Sequence, residues 1–382
     1  MMNARIRTAW AALTAALVTL LALATIAAPS HADAMLSGLD LAQATRANCQ
    51  TLLANATSSA QRTRANNCIA DQTVIIDALT PTASPSTTPT TSPSPTPSPS
   101  PTPTDPPALL ANCFGDLKNS SGPIDQSRLG ACGYPTLAST GVPAATVLTA
   151  YTGSMDITVA GTVIDGKTIN GCLNVTAVDV TIRNSRITCG IAGELAGVYA
   201  DTAPSDARLR IERVEIDCVT GKRHGVWVHG AIIIGAYIHD CENAGEINAN
   251  TSLRDSYLVA REGDSNAHGD GIQSQDGTNV VVWHNTFAGL NPITSSIITN
   301  PTGNDNWTVT DNFFSAGAYT LYCPEEADGW VVTGNRFYGP VGNEGIDPHR
   351  PAYGFTDACN SPGRIAWSGN YRDDDTSIPV TA

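Results

Sequence analysis

One short pattern recurs along the C-terminal part of the chain and limits what it can fold into. Each copy has an apolar residue, a gap, a pair of small or Asn-like residues, a second gap and another apolar residue. The copies are IRNSRI from Ile182, IERVEI from Ile211, IGAYIH from Ile234, LRDSYL from Leu253, VWHNTF from Val282, VTDNFF from Val309, VTGNRF from Val332 and a looser WSGNYR from Trp367. A recurrence about every 20 to 35 residues, with alternating apolar positions inside each copy, predicts a solenoid built from short strands.

The pattern excludes other repeat folds. No window of the repeat region carries the i, i+3, i+4, i+7 apolar stripe of helical repeats, and a propeller blade needs four longer strands. We therefore expect an all-β fold, a parallel β-helix of about eight or more coils stacked on one core. The repeat resembles the right-handed parallel β-helix proteins of the pectate-lyase-like superfamily, from about Ala144 to the C-terminus. That resemblance implies a right-handed helix, but the scaffold carries many activities.

The rest of the chain divides by composition. Arg5 and Arg7 precede an apolar run, which predicts a secretory signal peptide over residues 1–32, with an uncleaved membrane anchor as the alternative. For residues 33–79 we expect a small helical hairpin module that is stabilised by a disulfide. Residues 80–107 alternate Pro with Ser and Thr, which predicts an extended linker. The β-helix domain is expected over residues 108–382.

Charge and cysteine content restrict the partners and the compartment. A net charge of -14 argues against nucleic acid or an anionic membrane as partner. Ten cysteines in a chain with an export signal predict five disulfides and a secreted, extracellular protein without stable membrane insertion, which we expect to be a monomer. Pairing of nearest neighbours keeps each domain self-contained: Cys49 with Cys68, Cys113 with Cys132, Cys172 with Cys189, Cys218 with Cys241, and Cys323 with Cys359.

One strand of each coil carries an unusual set of polar residues. The segments GVWVH, GEINAN, DGIQSQ, SIITN, YTLYC and EGIDPH, which begin at Gly225, Gly245, Asp270, Ser296, Tyr319 and Glu344, are expected to stack as one column. If Val226, Val228, Ile247, Ile272, Ser274 and Ile346 point inward, alternation turns the neighbouring polar residues outward. These are Trp227, His229, Glu246, Asn248, Gln273, Gln275, Asp347 and His349. Such a surface is typical of a groove that binds sugars, so an extracellular polysaccharide is the expected partner.

Two groups of residues are candidate catalytic centres. The first combines His224, His229, Glu246, His268 and Asp270, on three consecutive coils around the string NAHGDGIQ. The second is Asp347, Pro348, His349 and Arg350 in EGIDPHRP, which resembles the catalytic D-P-H strand of mannuronan C5-epimerases. That resemblance implies His349 as a proton-transfer group with Asp347 as its partner, although Arg350 stands where the family has an acidic residue. We favour the first group because a groove has walls on both sides at mid-helix.

The residue types permit three functions. A uronate lyase or epimerase abstracts the C5 proton and needs a cation for the sugar carboxylate, for which Lys222, Arg223, Arg254, Arg261 and Arg350 are candidates. This is the function that we expect first. A glycoside hydrolase needs two carboxyl groups, for which Glu246 and Asp270 are the best pair. A non-catalytic binding or adhesion protein needs only the column itself, with His224, Trp227, Asn248, Gln273 and Gln275 as sugar contacts. Calcium is a candidate cofactor around Asp264, Asp270 and Asp276.

Overall fold

A computed structural model describes residues 124–190, 193–201, 203, 207–219, 224–261, 268–289, 292–324, 326, 328–339, 341–342, 349–361, 364–373 and 379–382. The predicted signal peptide, helical module and linker lie outside these residues. Within them the chain forms one short helix, α1 (Gln126–Ala131), and strands β1 to β28 of two to five residues. The strands make three parallel sheets, as a right-handed β-helix requires, so the predicted fold is confirmed.

Sheet A holds the predicted polar column. Its nine strands in order are β2 (Asp156–Ile157), β5 (Leu173–Val175), β8 (Ala196–Ala200), β11 (His224–Val228), β14 (Asn243–Ile247), β17 (Asp270–Ser274), β20 (Ser295–Thr299), β23 (Tyr319–Tyr322) and β26 (Gly354–Asp357). Each strand is followed along the chain by one strand of sheet B and then one of sheet C.

Sheets B and C complete each coil. Sheet B consists of β3 (Val163–Asp165), β6 (Thr181–Arg183), β9 (Leu209–Glu212), β12 (Ala231–Ile234), β15 (Ser252–Arg254), β18 (Val281–Trp283), β21 (Thr308–Thr310), β24 (Trp330–Thr333) and β27 (Ile365–Ser368). Sheet C consists of β1 (Thr149–Ala150), β4 (Lys167–Asn170), β7 (Arg186–Thr188), β10 (Glu215–Asp217), β13 (Tyr237–Cys241), β16 (Tyr257–Ala260), β19 (Thr286–Ala288), β22 (Phe313–Ser315), β25 (Arg336–Phe337) and β28 (Tyr371–Arg372).

Stacked apolar side chains form the core. In sheet B, the middle residue of each strand pairs with the equivalent residue of the next coil, as in Ile211 with Ile233 and Val282 with Val309. These side chains are fully buried. Each contributes about 1.5–3 kcal/mol when it leaves water. The apolar alternation within the repeat is therefore the inward face of sheet B.

The turn pairs join sheet B to sheet C. From β6 onward each connection has two residues, and the first takes a left-handed conformation, as at Asp255, His284 and Asp311. Asn, Asp and Gly tolerate this conformation best, which explains the composition of the pattern. The second residue is buried, and in the last four coils it forms a ladder of hydrogen-bonded amides: Asn285, Asn312, Asn335 and Asn370.

Disulfides, and contacts made by residues 124–141, connect neighbouring coils. Three predicted disulfides are present, Cys172–Cys189, Cys218–Cys241 and Cys323–Cys359, which are typical of an oxidising environment. Cys49, Cys68 and Cys113 lie outside the described residues. Residues 124–141, here called the strap, lie across the outer face of sheet C. Ile124 and Leu129 of the strap pack with Tyr257, Phe313 and Tyr338. No helix in the described part of the chain has the length and apolar composition to cross a bilayer.

Between the described strands, long connections occur only beside sheet A. Nine residues separate β16 from β17 and sixteen separate β25 from β26, on the side that leads from sheet C. Eight residues separate β20 from β21, on the side that leads to sheet B. The short turns between sheets B and C leave no comparable insertion. Sheet A is thus the sheet whose outer face has loops along both edges.

Candidate functional site

The predicted column stands on the outer face of sheet A. Trp227 pairs with Glu246 across β11 and β14, and Glu246 pairs with Gln273 across β14 and β17. The residues expected to point inward, Val226, Val228, Ile247, Ile272 and Ser274, are buried. Ile346 and Asp347 lie outside the described residues. The outer row continues from Tyr199 before Trp227 to Ile298 and Tyr322 after Gln273.

The strands of sheet A bend at their first residues, and the bend changes which side chains face outward. A methyl group on Gly271 would lie 2.6 Å from the Phe287 ring and 2.4 Å from the Ser296 carbonyl oxygen, so Gly271 faces the core. Only glycine fits there. Asp270, the preceding residue, therefore points away from the core, as does His224, whose ring lies 5.0 Å from that of Trp227.

A chain of polar groups crosses four coils at this bend. His224 Nδ1 lies 3.4 Å from the Asn243 side-chain nitrogen, and Asn243 Oδ1 accepts a hydrogen bond of 2.8 Å from the Asp270 backbone N–H. The Ser295 hydroxyl donates to Asp270 Oδ1 at 2.6 Å. Asn243 therefore holds the backbone of Asp270 from one neighbouring strand, and Ser295 holds its side chain from the other.

Burial controls the ionisation of this group of residues. Asp270 is 1% exposed, and burial raises its pKa to about 7, against the opposing hydrogen bonds from Ser295. The charges of Glu242 and Glu246 act in the same direction. Burial lowers the pKa of His224 to about 4, so that histidine is neutral near pH 7. Asp270 is thus a carboxyl that retains its proton close to neutral pH.

Glu246 is the second carboxyl with a raised pKa. Burial is the main cause and the charge of Asp201 adds to it, while the nearby Gln273 and Asn248 side chains and the Gln275 backbone N–H lower the pKa. Glu246 Oε1 accepts from the Gln275 backbone N–H at 3.2 Å. Glu246 Oε2 and the neighbouring Trp227 Nε1 are both buried, and neither has a hydrogen-bond partner within the described ranges. Two unpartnered polar atoms of opposite hydrogen-bonding type therefore belong to paired residues of the outer row.

The remaining predicted contacts of the first group occupy the edges of the face. His268 is exposed, with Nδ1 3.2 Å from the Thr294 hydroxyl. His229 follows β11, and its Nε2 donates to the Ala203 carbonyl. Asn248 is almost buried because its Oδ1 accepts from the backbone N–H groups of Gln275 and Asp276. Gln275 is exposed at the end of β17.

His349 of the second predicted group does not lie on a strand of sheet A, which corrects the sequence-based expectation for this residue, whereas Asp347 and Pro348 lie outside the described residues. The ninth strand of sheet A is β26, which begins at Gly354. His349 precedes it and is buried against Tyr338, with Nδ1 donating to the Gly289 carbonyl at 3.2 Å. Its own carbonyl accepts from the Ala316 N–H at 2.7 Å. His349 thus links a long connection to the coils, and Arg350 beside it is half-buried.

Positive charge is absent from the strands of sheet A as far as the structure describes them: none of the nine contains Lys or Arg. The arginines of the early coils occupy sheets B and C, where most pair with acids, as in Arg183 with Asp165 and Arg210 with Glu212. Arg261 pairs with Asp240 at 2.6 Å, and Arg254 belongs to sheet B. Lys222 and Arg223 lie outside the described residues.

Asp270 and Asp276, two of the three acids suggested for calcium, do not lie next to each other. Asp270 begins β17 and Asp276 lies beyond its end, so at least about 13 Å of extended strand separates them. Asp264 is outside the described residues. Asp217, His239 and Asp240 on sheet C come within 4.8 Å of one another. Arg261 already pairs with Asp240, and Glu215 lies 3.6 Å from His239, so this cluster is an ion-pair network.

The sequence analysis did not identify several residues that belong to this face. Asn243 and Ser295 hold Asp270, and Asp201 acts on Glu246. Tyr199 lies 5.6 Å from Trp227 between ring centroids, and Tyr322 lies 5.4 Å from Tyr319. A signal for Asn243 and Ser295 was present, since each occupies the position equivalent to Asp270 in its own coil.

Comparison of the chain with protein-family models, curated proteins and solved structures finds no match in any of the three. The resemblances to pectate-lyase-like proteins and to mannuronan C5-epimerases therefore rest on the quoted motifs alone.

Proposed function

We propose that this protein is secreted and hydrolyses glycosidic bonds of an extracellular polysaccharide on the outer face of sheet A. One observation carries the proposal: Asp270 and Glu246, on neighbouring strands of that face, are both buried carboxyls with a raised pKa. Hydrolysis of a glycoside needs one carboxylic acid and one carboxylate on opposite sides of the bond. The aromatic side chains of Tyr199 and Trp227 beside them are suited to stacking on sugar rings.

The two residues would take different roles. Asp270, with a pKa of about 7, would donate its proton to the glycosidic oxygen as the C–O bond breaks. Glu246 would take a proton from the water that attacks the anomeric carbon. The proton balance closes because one carboxyl loses the proton that the leaving alcohol gains, and the other gains the proton that water loses.

The spacing favours hydrolysis with inversion. Glu246 pairs with Gln273, which lies three residues after Asp270 on β17. The Cα atoms of Asp270 and Glu246 are therefore offset by about 10 Å along the strands and by about 4.8 Å across them. Carboxyl groups on such positions suit the separation of about 6.5–9.5 Å that leaves room for a water molecule. Both carboxyls are buried, and we expect the half-buried side chain of Gln273, which lies opposite Glu246, to turn aside when a sugar binds.

Uronate lyase or epimerase chemistry is the second candidate, favoured by the histidines His224, His229 and His268 near the acids. It ranks lower because the described strands of sheet A supply no cation for a sugar carboxylate.

The test is a panel of neutral, amino-sugar and uronate polysaccharides, with reducing ends and unsaturated products measured separately. Hydrolysis predicts new reducing ends without unsaturated products, inverted stereochemistry by NMR, and at least about a hundredfold loss of kcat in both Asp270→Asn and Glu246→Gln. Asp165→Asn, on sheet B, is the matched control and should retain activity. Unsaturated products would show that the protein is a lyase and not a hydrolase. Inactivity on every substrate would reject both enzymes and leave only a binding function.

A further inference from the structure

We propose that the polysaccharide contains free amino sugars, and that Trp227, Asp201 and Glu246 form a subsite for the ammonium group of one of them. The inference deepens the proposed function and rests on it for the position of the sugar chain. It begins from the charge of the face: the outer row of sheet A includes Asp156, Glu246 and Asp357, and no described strand of this sheet offers a cation. A uronate chain would add negative charge to this surface.

The three residues belong to three consecutive strands of the face or follow directly after one of them. Trp227 lies between Tyr199 and Glu246 in the register of the strands, and Asp201 follows the end of β8. The charge of Asp201 reaches the Glu246 carboxyl. Trp227 is half-buried, so part of its indole reaches the surface. An ammonium group near an indole face and between two carboxylates combines a cation–π contact with charge-assisted hydrogen bonds.

The unpartnered atoms provide an independent indication of a ligand. Glu246 is fully buried, yet its Oε2 has no donor among the described residues. A buried acceptor without a donor costs about 1–3 kcal/mol, and an ammonium group brings three donors. Trp227 Nε1, a donor without an acceptor in the same part of the structure, would take a hydroxyl of the adjoining sugar.

An ammonium group at this point would also assist the proposed reaction. The base must be ionised, whereas burial and Asp201 both favour the protonated form of Glu246. A positive charge on the substrate reverses that preference only when substrate is bound. Acetylation of the amine removes the charge and the effect.

The experiment measures binding separately from turnover. Full-length protein carrying Asp270→Asn, which suppresses hydrolysis, is titrated calorimetrically with short oligomers of glucosamine, N-acetylglucosamine and galacturonate. We expect the glucosamine oligomer to bind about tenfold or more tightly than its acetylated counterpart, with an affinity that falls as salt rises. In buffers of different ionisation enthalpy, its binding should release protons, because the ammonium group favours the ionised form of Glu246.

Variants locate the effect. Adding Asp201→Asn or Trp227→Leu should abolish most of the preference for the free amine, whereas adding Asp165→Asn should not. Equal binding of the acetylated oligomer would overturn the inference, as would tighter binding of galacturonate, with or without added Ca²⁺. A preserved amine preference in a protein that hydrolyses nothing would reject the proposed enzyme and leave the ammonium subsite standing.

Discussion

Asp270→Asn tests directly whether sheet A carries a buried, protonated acid. Asparagine has the shape of the protonated aspartic acid and retains an oxygen for the Ser295 hydroxyl, which donates at 2.6 Å in the wild type. It lacks only the ability to ionise. The substitution therefore removes the pH dependence that Asp270 contributes to stability and preserves the packing around it.

The magnitude follows from the change in pKa on folding. The pKa of Asp270 rises from an ordinary value of 3.8 to about 7, mainly because of burial. Each pKa unit corresponds to about 1.4 kcal/mol, so the difference corresponds to about 4 kcal/mol. Between pH 4 and 7 the folded state binds more protons at this site than the unfolded state, so stability falls as pH rises through this window. Above the folded pKa the contribution is constant.

The measurement is the free energy of urea unfolding at several pH values from 4 to 8, for the wild type, Asp270→Asn and the control Asp276→Asn. Asp276 is exposed just beyond the end of the same strand. Between pH 4 and 8, we expect the free energy of unfolding to fall by about 4 kcal/mol less in Asp270→Asn than in the wild type. Asp276→Asn should show the same decrease as the wild type. If Asp270→Asn shows the wild-type slope, Asp270 is ionised in the fold and the assignment of the general acid fails.

Two further substitutions test the buried amide ladder between sheets B and C and the structural role of His349. Asn312→Ala removes a buried amide that donates to the Val282 carbonyl and accepts from Asn285, and should reduce the free energy of unfolding by about 3–4 kcal/mol in urea; the exposed Asn300→Ala should change it by less than about 0.5 kcal/mol. His349→Ala should cost about 1–2 kcal/mol of stability in the same assay and leave kcat per folded molecule unchanged, whereas a catalytic His349 would lose activity at equal stability.

The sequence predicted the parts of the fold that repeat. Alternation placed Val226, Val228, Ile247 and Ile272 inward, because a strand in the middle of a coil has only two faces. The two-residue turn could also be predicted from the sequence. Its first residue is left-handed and its second is buried, so few residue types fit either position. Nearest-neighbour pairing of cysteines succeeded for three disulfides because adjacent coils bring equivalent positions together.

The site was less predictable because its geometry departs from alternation. At the bend that opens β17, Gly271 faces the core where simple parity from Ile272 would turn it outward, and this displaces Asp270 to the outer side. Sequence also gives no measure of burial for an outward residue, so Glu246 was expected to be accessible. His349 was misplaced for a different reason: the apolar alternation before it imitates a strand, but the strand of sheet A that pairs with β23 is β26, which begins at Gly354.

The position of the site follows from the three corners of the coil. The corner between sheets B and C is closed by two-residue turns whose buried second residue must stack on its neighbours, so an insertion there would break the ladder at Asn312 or Asn335. The other two corners carry no such ladder of buried amides in the described coils, and both border sheet A. Between the described strands, insertions can therefore accumulate only at the two corners that border this sheet. That restriction supports, independently of any motif, the proposal that the face with Asp270 and Glu246 binds the ligand.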